Sequence, residues 1–117
     1  MSYDLRVLVK ADGCGKFVPI ATPEYDNPTY NLRNMFVACM DWDYEQSKVY
    51  PAETAMPHIE RGIHELTFNS KEYRKYDSPN GWGTLEGARE CLISWWECIL
   101  ETSEQYEIPL NDLYVSW

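Results

Sequence analysis

Hydrophobic and polar positions separate most cleanly between Thr84 and Glu104. The pattern has the period of an α-helix, about 3.6 residues. Its apolar side carries Ala88, Cys91, Leu92, Trp95, Cys98 and Ile99. Thr84 is suited to cap the start of such a helix, because its hydroxyl can accept a hydrogen bond from a free backbone N–H group. The pattern therefore predicts an amphipathic helix that packs on the core, with Trp95 as the central anchor.

The opposite side of this predicted helix is acidic. It carries Glu86, Glu90, Glu97, Glu101 and Glu104. Glutamates four residues apart repel each other and mildly destabilise a helix. From Glu90 to Trp117 the chain has six acidic side chains and no basic one. Two interpretations follow: a solvated helix face, or a surface that binds a basic partner.

Period-two alternation predicts the strands. It runs through residues 2–10, and after a turn around Gly13 and Gly15 a return strand follows at 17–20. Pro19 cannot donate to a strand ladder, so this strand is expected at a sheet edge or at a bulge. Residues 113–117 form a final strand that can pair with the first.

Two further helices are predicted between the strands. Residues 31–42 carry an apolar stripe of Leu32, Met35, Phe36, Cys39 and Met40. The next helix begins near Thr54 and has Ile59, Ile63 and Leu66 on its inner face. Gly62 within it indicates close packing. The resulting order is β-β-α-α-α-β, an α+β domain over residues 1–117 with a small antiparallel sheet packed on three helices.

Acidic and aromatic residues alternate at Asp41, Trp42, Asp43, Tyr44 and Glu45. Three interpretations are open: a metal-binding or catalytic carboxylate cluster, an acidic surface facing a partner, or a helix end with solvated acids. A calcium loop of the EF-hand kind is excluded, because the glycine it needs is missing. The only basic patch, at 70–76, can pair with these acids through Lys71, Arg74 and Lys75.

Composition narrows the function classes. The chain has 117 residues, a net charge of −9 and an aromatic fraction of 15%. Such a chain folds, and its charge argues against direct binding of nucleic acid or of an anionic membrane, while permitting basic protein partners. No signal peptide and no membrane-spanning run is recognisable, so a cytoplasmic protein with reduced thiols is expected.

No motif names a reaction. The four cysteines match no zinc spacing, and His58 and His64 are six residues apart instead of the four of a zinc-protease helix. A nucleophile at Cys39 or Cys91 paired with one of these histidines stays open, since such partners meet only in the fold. The expectation is a protein that is not an enzyme, with no metal and no cofactor.

The stretches YDLRVLVKADG, TYNLRNMF, CMDWDYEQ and NGWGTLEGA, together with the size and acidity of the chain, resemble small acidic proteins of bacterial phages and mobile elements. That group includes anti-CRISPR and other anti-defence proteins. Some of its members imitate nucleic acid with carboxylates, and others bind nucleotide signals in aromatic pockets. The resemblance implies a bacterial defence effector as the partner and carries no individual site residue.

Two functions follow as hypotheses. In the first, an interaction protein presents Glu86, Glu90, Glu97, Glu101 and Glu104, with Asp41, Asp43 and Glu45, to a basic surface of a nucleic-acid-processing partner. In the second, a small-molecule or nucleotide-binding protein, a monomer or a homodimer, stacks a base on aromatic side chains and holds a phosphate with a cation. The residues for this alternative are Trp42, Tyr44, Trp82 and Arg74.

Overall fold

The computed structural model describes residues 5–11, 15–23, 32–45, 47–77 and 83–117. It is an α+β fold, as the sequence predicts, with an antiparallel sheet beside helices. The strands are β1 (Arg6–Lys10), β2 (Phe17–Ala21), β3 (Tyr50–Pro51) and β4 (Leu113–Ser116). The helices are α1 (Arg33–Met40), α2 (Ala52–Phe68), α3 (Ser70–Tyr73) and α4 (Leu85–Gln105).

The strand order in the sheet is β2-β1-β4-β3, and every neighbouring pair is antiparallel. The predicted pairing of the last strand with the first is confirmed, since Val7 lies opposite Val115 and both are fully buried. The prediction for Pro19 is also confirmed. It lies in the edge strand β2, beside an irregularity in the register between Val7 and Leu8.

The long helix α4 agrees closely with its prediction. Thr84 is the N-cap, and its hydroxyl accepts a hydrogen bond of 3.2 Å from the backbone N–H of Gly87. Trp95 is fully buried and contacts the rings of Phe36 and Trp117, at 5.7 Å and 5.0 Å between centroids. A side chain as large as Trp buries more apolar area than any other residue, so Trp95 links α4 to α1 and to the end of β4.

Gly62 marks the closest approach of α2 to α4 and α1, as its place in the sequence predicts. A Cβ atom built there would lie 2.8 Å from Leu92 Cδ1 and 2.9 Å from Met40 Cγ. Both neighbouring side chains are fully buried and have no free space to retreat into. Only glycine allows the helices to lie this close.

The end of α1 and the start of α2 differ from the sequence predictions. Helix α1 ends at Met40 instead of Trp42, because Asp41 adopts a left-handed conformation with φ 51°. The backbone N–H groups of Asp41 and Trp42 then bond to Ala38 and Val37 carbonyls, which closes the helix as a Schellman motif. Helix α2 begins at Ala52 instead of Thr54, directly after Pro51. Pro51 explains this helix start, because its ring fixes φ while its backbone stays extended at ψ 138°.

Several short elements were not predicted. Strand β3 contains only two residues, and it pairs Tyr50 with Val115. Residues of the basic patch form the short helix α3 and a following 3-10 turn, Arg74–Tyr76. The predicted strand over residues 2–10 is described from Leu5 onward, and its regular part begins at Arg6.

We predict that Gly62→Ala lowers the free energy of unfolding by about 1 kcal/mol. Alanine is intrinsically the better helix former by about 1 kcal/mol, but forcing a methyl group into a packed core typically costs about 1–3 kcal/mol. Gly87→Ala is the matched control, because its added Cβ would meet only Thr84 Oγ1, at 3.4 Å. In urea unfolding, Gly62→Ala should have a lower free energy of unfolding than the wild type, and Gly87→Ala a higher one. An equal gain in both would contradict the close contact at Gly62.

Candidate functional site

The glutamate face of α4 divides into two parts. Glu86, at the first turn, is held by Arg74, with Nη1 to Oε2 at 3.0 Å and Nη2 to Oε1 at 2.5 Å. Hydrogen bonds from Arg74 lower the pKa of Glu86 to about 2. This carboxylate is therefore already neutralised by the protein, and it contributes little charge to an outside partner.

The same Arg74 also secures the entry into α4. It bonds to Asp77 at 3.2 Å, and Asp77 accepts a second hydrogen bond of 2.8 Å from the backbone N–H of Leu85. Carboxylates suit the start of a helix, where free N–H groups carry partial positive charge. Arg74 thus joins the end of the basic patch to α4. The predicted pairing of this patch with Asp41–Glu45 is wrong for Arg74, and Asp43 is held instead by Arg33, at 3.2 Å.

The second part of the face lines a groove with a volume of about 600 Å³. One wall is the end of β2 and the residues after it, from Ala21 to Pro23. The rest is a stripe of α4 formed by Glu90, Ile93, Ser94, Glu97, Cys98, Glu101, Thr102 and Gln105. Glu104 is exposed but does not line the groove.

The groove carries uncompensated negative charge. Glu90, Glu97 and Glu101 are all exposed, and within the described chain none of them forms an ion pair or a side-chain hydrogen bond. Among the described residues that line the groove, no side chain is basic. The arrangement can therefore attract cationic groups electrostatically, while Ile93 and the apolar wall offer contact area beside the carboxylates.

The acidic and aromatic residues of 41–45 have a structural explanation. Tyr44 is 1% exposed and contacts Trp117 at 5.2 Å, and Trp42 also packs on Trp117, at 5.6 Å. The acids between the aromatic residues, Asp41, Asp43 and Glu45, are exposed. The two aromatic side chains of this segment thus pack on the core, while its acids face solvent. These acids do not line the groove.

The aromatic residues proposed for nucleotide binding are largely engaged within the protein. Tyr44 belongs to the core. Trp42 stacks on His58, at 4.7 Å with an angle of 22° between the rings. Arg74 is held by Asp77 and Glu86. Trp82, the fourth of these residues, lies outside the described part of the chain.

The cysteine and histidine candidates are not brought together as a nucleophile and a base. Cys39 is fully buried, and burial raises its pKa to about 12, which disfavours the reactive thiolate. His58 stacks on Trp42 and places Nδ1 2.9 Å from the Met40 carbonyl oxygen. His64 packs beside Phe68. In the described residues no group of three or more His, Cys, Asp or Glu side chains could hold a metal ion.

Part of the groove could not be read from the sequence. The pattern identifies the glutamates, but not the wall at Ala21–Pro23, because contact between β2 and α4 depends on the sheet order. A signal for the groove floor does exist: small side chains recur every four residues at Ser94, Cys98 and Thr102. Such a row leaves a depression along a helix.

Comparison with protein-family models, with curated proteins and with solved structures gives no match for this chain. None of the described helices is both long enough and apolar enough to span a bilayer.

We predict that the Arg74–Glu86 pair makes part of the stability depend on pH. Because the pKa of Glu86 in the folded protein is about 2, below its ordinary value of 4.5, the pair stabilises the fold above pH 4.5. This contribution is lost as the pH falls toward 2. Thermal unfolding of Glu86→Gln should show a lower melting temperature than wild type at neutral pH, with the gap closing in acid.

Glu104→Gln is the control for removal of one carboxylate, because Glu104 has no ion-pair partner in the described residues. Raising the salt concentration should also narrow the gap, because the Arg74–Glu86 pair is exposed and screened. A gap that stays constant between neutral pH and about pH 2 would contradict the role of this pair.

Proposed function

We propose that this protein is a non-enzymatic interaction protein that binds a basic surface of another protein through the groove beside α4. The main observation that supports this proposal is the set of carboxylates at Glu90, Glu97 and Glu101, which line the groove without an ion-pair partner in the described chain. Glu86, Asp41, Asp43 and Glu45 are no part of this surface, since they lie outside the groove.

The charge repulsion along α4 supports the proposal that a partner binds there. Glu97 and Glu101 are four residues apart, a spacing at which like charges cost roughly 0.2–0.5 kcal/mol. Elsewhere the chain places cations beside its acids, as Arg74 beside Glu86 and Arg61 beside Glu65. A cationic partner would relieve the repulsion in the groove, and its approach would be accelerated by the net charge of −9.

The class of partner follows from this charge and from the resemblance to anti-defence proteins. Basic protein surfaces are commonly those that bind nucleic acid, because they neutralise phosphates. We therefore assign the partner to nucleic-acid-processing proteins, with a bacterial defence effector as the specific proposal. The groove carboxylates would then occupy positions that phosphates otherwise take.

The alternative, nucleotide binding in an aromatic pocket, has less support. Of its four residues, Tyr44 is in the core and Arg74 is held by two carboxylates. One face of Trp42 is taken up by His58. A nucleotide would have to displace these contacts before it could stack. Heating the protein with a nucleotide panel would reveal such binding as a raised melting temperature.

The test of the interaction surface is a titration with an oligo-arginine peptide, followed by amide NMR. We expect the largest chemical-shift changes along residues 90–101 and at Ala21 and Thr22 of the wall, since Pro23 has no amide proton. Glu97→Gln combined with Glu101→Gln should weaken binding by roughly 2- to 30-fold, since each exposed ion pair contributes about 0.2–1 kcal/mol. Affinity should also fall when salt is raised from about 0.05 M to about 0.5 M.

Glu53→Gln combined with Glu72→Gln is the matched control. It changes the net charge equally, and both residues are exposed, on α2 and α3. The control should retain most of the wild-type affinity. If both double variants lose affinity equally, the attraction comes from net charge alone and the groove is not the site. Shift changes centred on Asp41–Glu45 would also contradict the proposal.

A further inference from the structure

The groove has the shape of a helix surface. Its α4 residues recur at intervals of three and four, from Glu90 to Gln105, which is one continuous stripe. At about 1.5 Å per residue the stripe runs for about 22 Å. A partner segment that fills it must therefore follow the axis of α4 over roughly four turns.

The side chains at the floor of the groove are nearly buried and offer few polar groups for recognition. Cys98 and Thr102 are only 8% and 3% exposed. The Thr102 hydroxyl donates a hydrogen bond of 2.6 Å to the Cys98 carbonyl oxygen, so it is already satisfied. Recognition along the floor therefore depends on close contact, while the carboxylates above it supply the charge.

The spacing of the carboxylates distinguishes between partner conformations. Glu90 and Glu97 are seven residues apart, and Glu97 and Glu101 four, which correspond to about 10 Å and 6 Å along the axis. An extended chain advances about 3.3 Å per residue, so its matching cations would be about three and two residues apart. An odd spacing puts side chains on opposite faces of a strand, and one extended segment cannot meet all of the carboxylates.

The sheet edge beside the groove also disfavours an added strand. The backbone N–H of Ala11 donates a hydrogen bond of 2.7 Å to the Lys16 carbonyl oxygen, directly beyond the Lys10–Phe17 pair that ends the β1–β2 ladder. Because hydrogen-bonded and non-hydrogen-bonded pairs alternate, we infer that Phe17 and Pro19 direct their backbone groups away from β1, to the edge of β2 that pairs with no described strand. Pro19 has no N–H group to donate there. An incoming strand would find the ladder interrupted in the middle of β2.

A helix meets these constraints. Two helices that pack nearly parallel present residues at equal spacings to each other, as charged positions do along a coiled coil. From the stripe, the carboxylate spacing and the blocked edge, we infer that the groove takes an amphipathic helix of a partner protein. This helix carries Lys or Arg at intervals of seven and four residues, with an apolar side chain that contacts Ile93. The inference rests on the proposed function and specifies its partner.

The test uses three synthetic peptides of about 16 residues, a length that spans the stripe. A striped peptide carries three arginines at intervals of seven and four residues, in either direction, and one leucine opposite Ile93. A dispersed peptide has the same composition with arginines five residues apart, which spreads them around the helix. The third is the striped peptide with two central prolines, which prevent a helix.

We expect the striped peptide to bind the wild-type protein about ten-fold more tightly than either control, by fluorescence anisotropy. A ten-fold change corresponds to about 1.4 kcal/mol, within reach of three exposed ion pairs and one apolar contact. Its helical circular dichroism should increase on binding. Glu97→Gln with Glu101→Gln should remove most of this advantage, whereas Glu53→Gln with Glu72→Gln should preserve it.

The outcomes separate this inference from the proposed function. Equal affinity of all three peptides, with loss of binding in the groove variant only, would leave the groove as the site and overturn the helical partner. Tighter binding of the proline peptide would also overturn it, in favour of an extended segment. Equal loss in both glutamine variants, or no binding of any peptide, would overturn the proposed function itself.

Discussion

The close approach of α2 and α4 at Gly62 is the contact on which the rest of the structure depends. It fixes the rotation of α4, because Leu92 must lie over the glycine. With Leu92, Trp95 and Ile99 directed inward, the helical period leaves Glu90, Glu97 and Glu101 on the outer side. The same contact therefore packs α4 on the core and leaves its acidic side exposed in the groove.

An aromatic cluster around Trp95 completes the core on the inner side of α4. Trp117 contacts Trp95, Trp42 and Tyr44, and its carbonyl oxygen accepts a hydrogen bond of 2.6 Å from the Ser47 N–H. The left-handed turn at Asp41 directs the chain toward this cluster. The acids of this segment consequently face solvent for a structural reason, and the groove is the acidic surface that this packing does not explain.

The sequence predicts those features that depend on local periodicity. Helix α4 and its Thr84 cap, the apolar stripe of α1 and the edge position of β2 all follow from residues close together in the chain. Strand β3 is too short to give a periodic signal, and the start of α2 depends on where Pro51 pairs with β4. The Arg74–Glu86 pair and the wall at Ala21–Pro23 could not be predicted, because both arise only when separate elements meet. For this reason the sequence pattern places five glutamates on one helix face. In the structure, Glu86 is neutralised by Arg74, whereas Glu90, Glu97 and Glu101 line the groove without an ion-pair partner in the described chain.

We propose that the groove carboxylates are kept for binding at a cost to stability. The most direct test of this proposal measures the stability and the affinity of Glu101→Lys together, by urea unfolding and by binding of an arginine-rich peptide. Lysine would end the repulsion with Glu97 and form a favourable pair four residues after it, so the free energy of unfolding should rise by about 0.5–1 kcal/mol. Affinity for the peptide should fall at the same time. A less stable variant, or one that binds the peptide as tightly as the wild type does, would contradict the account.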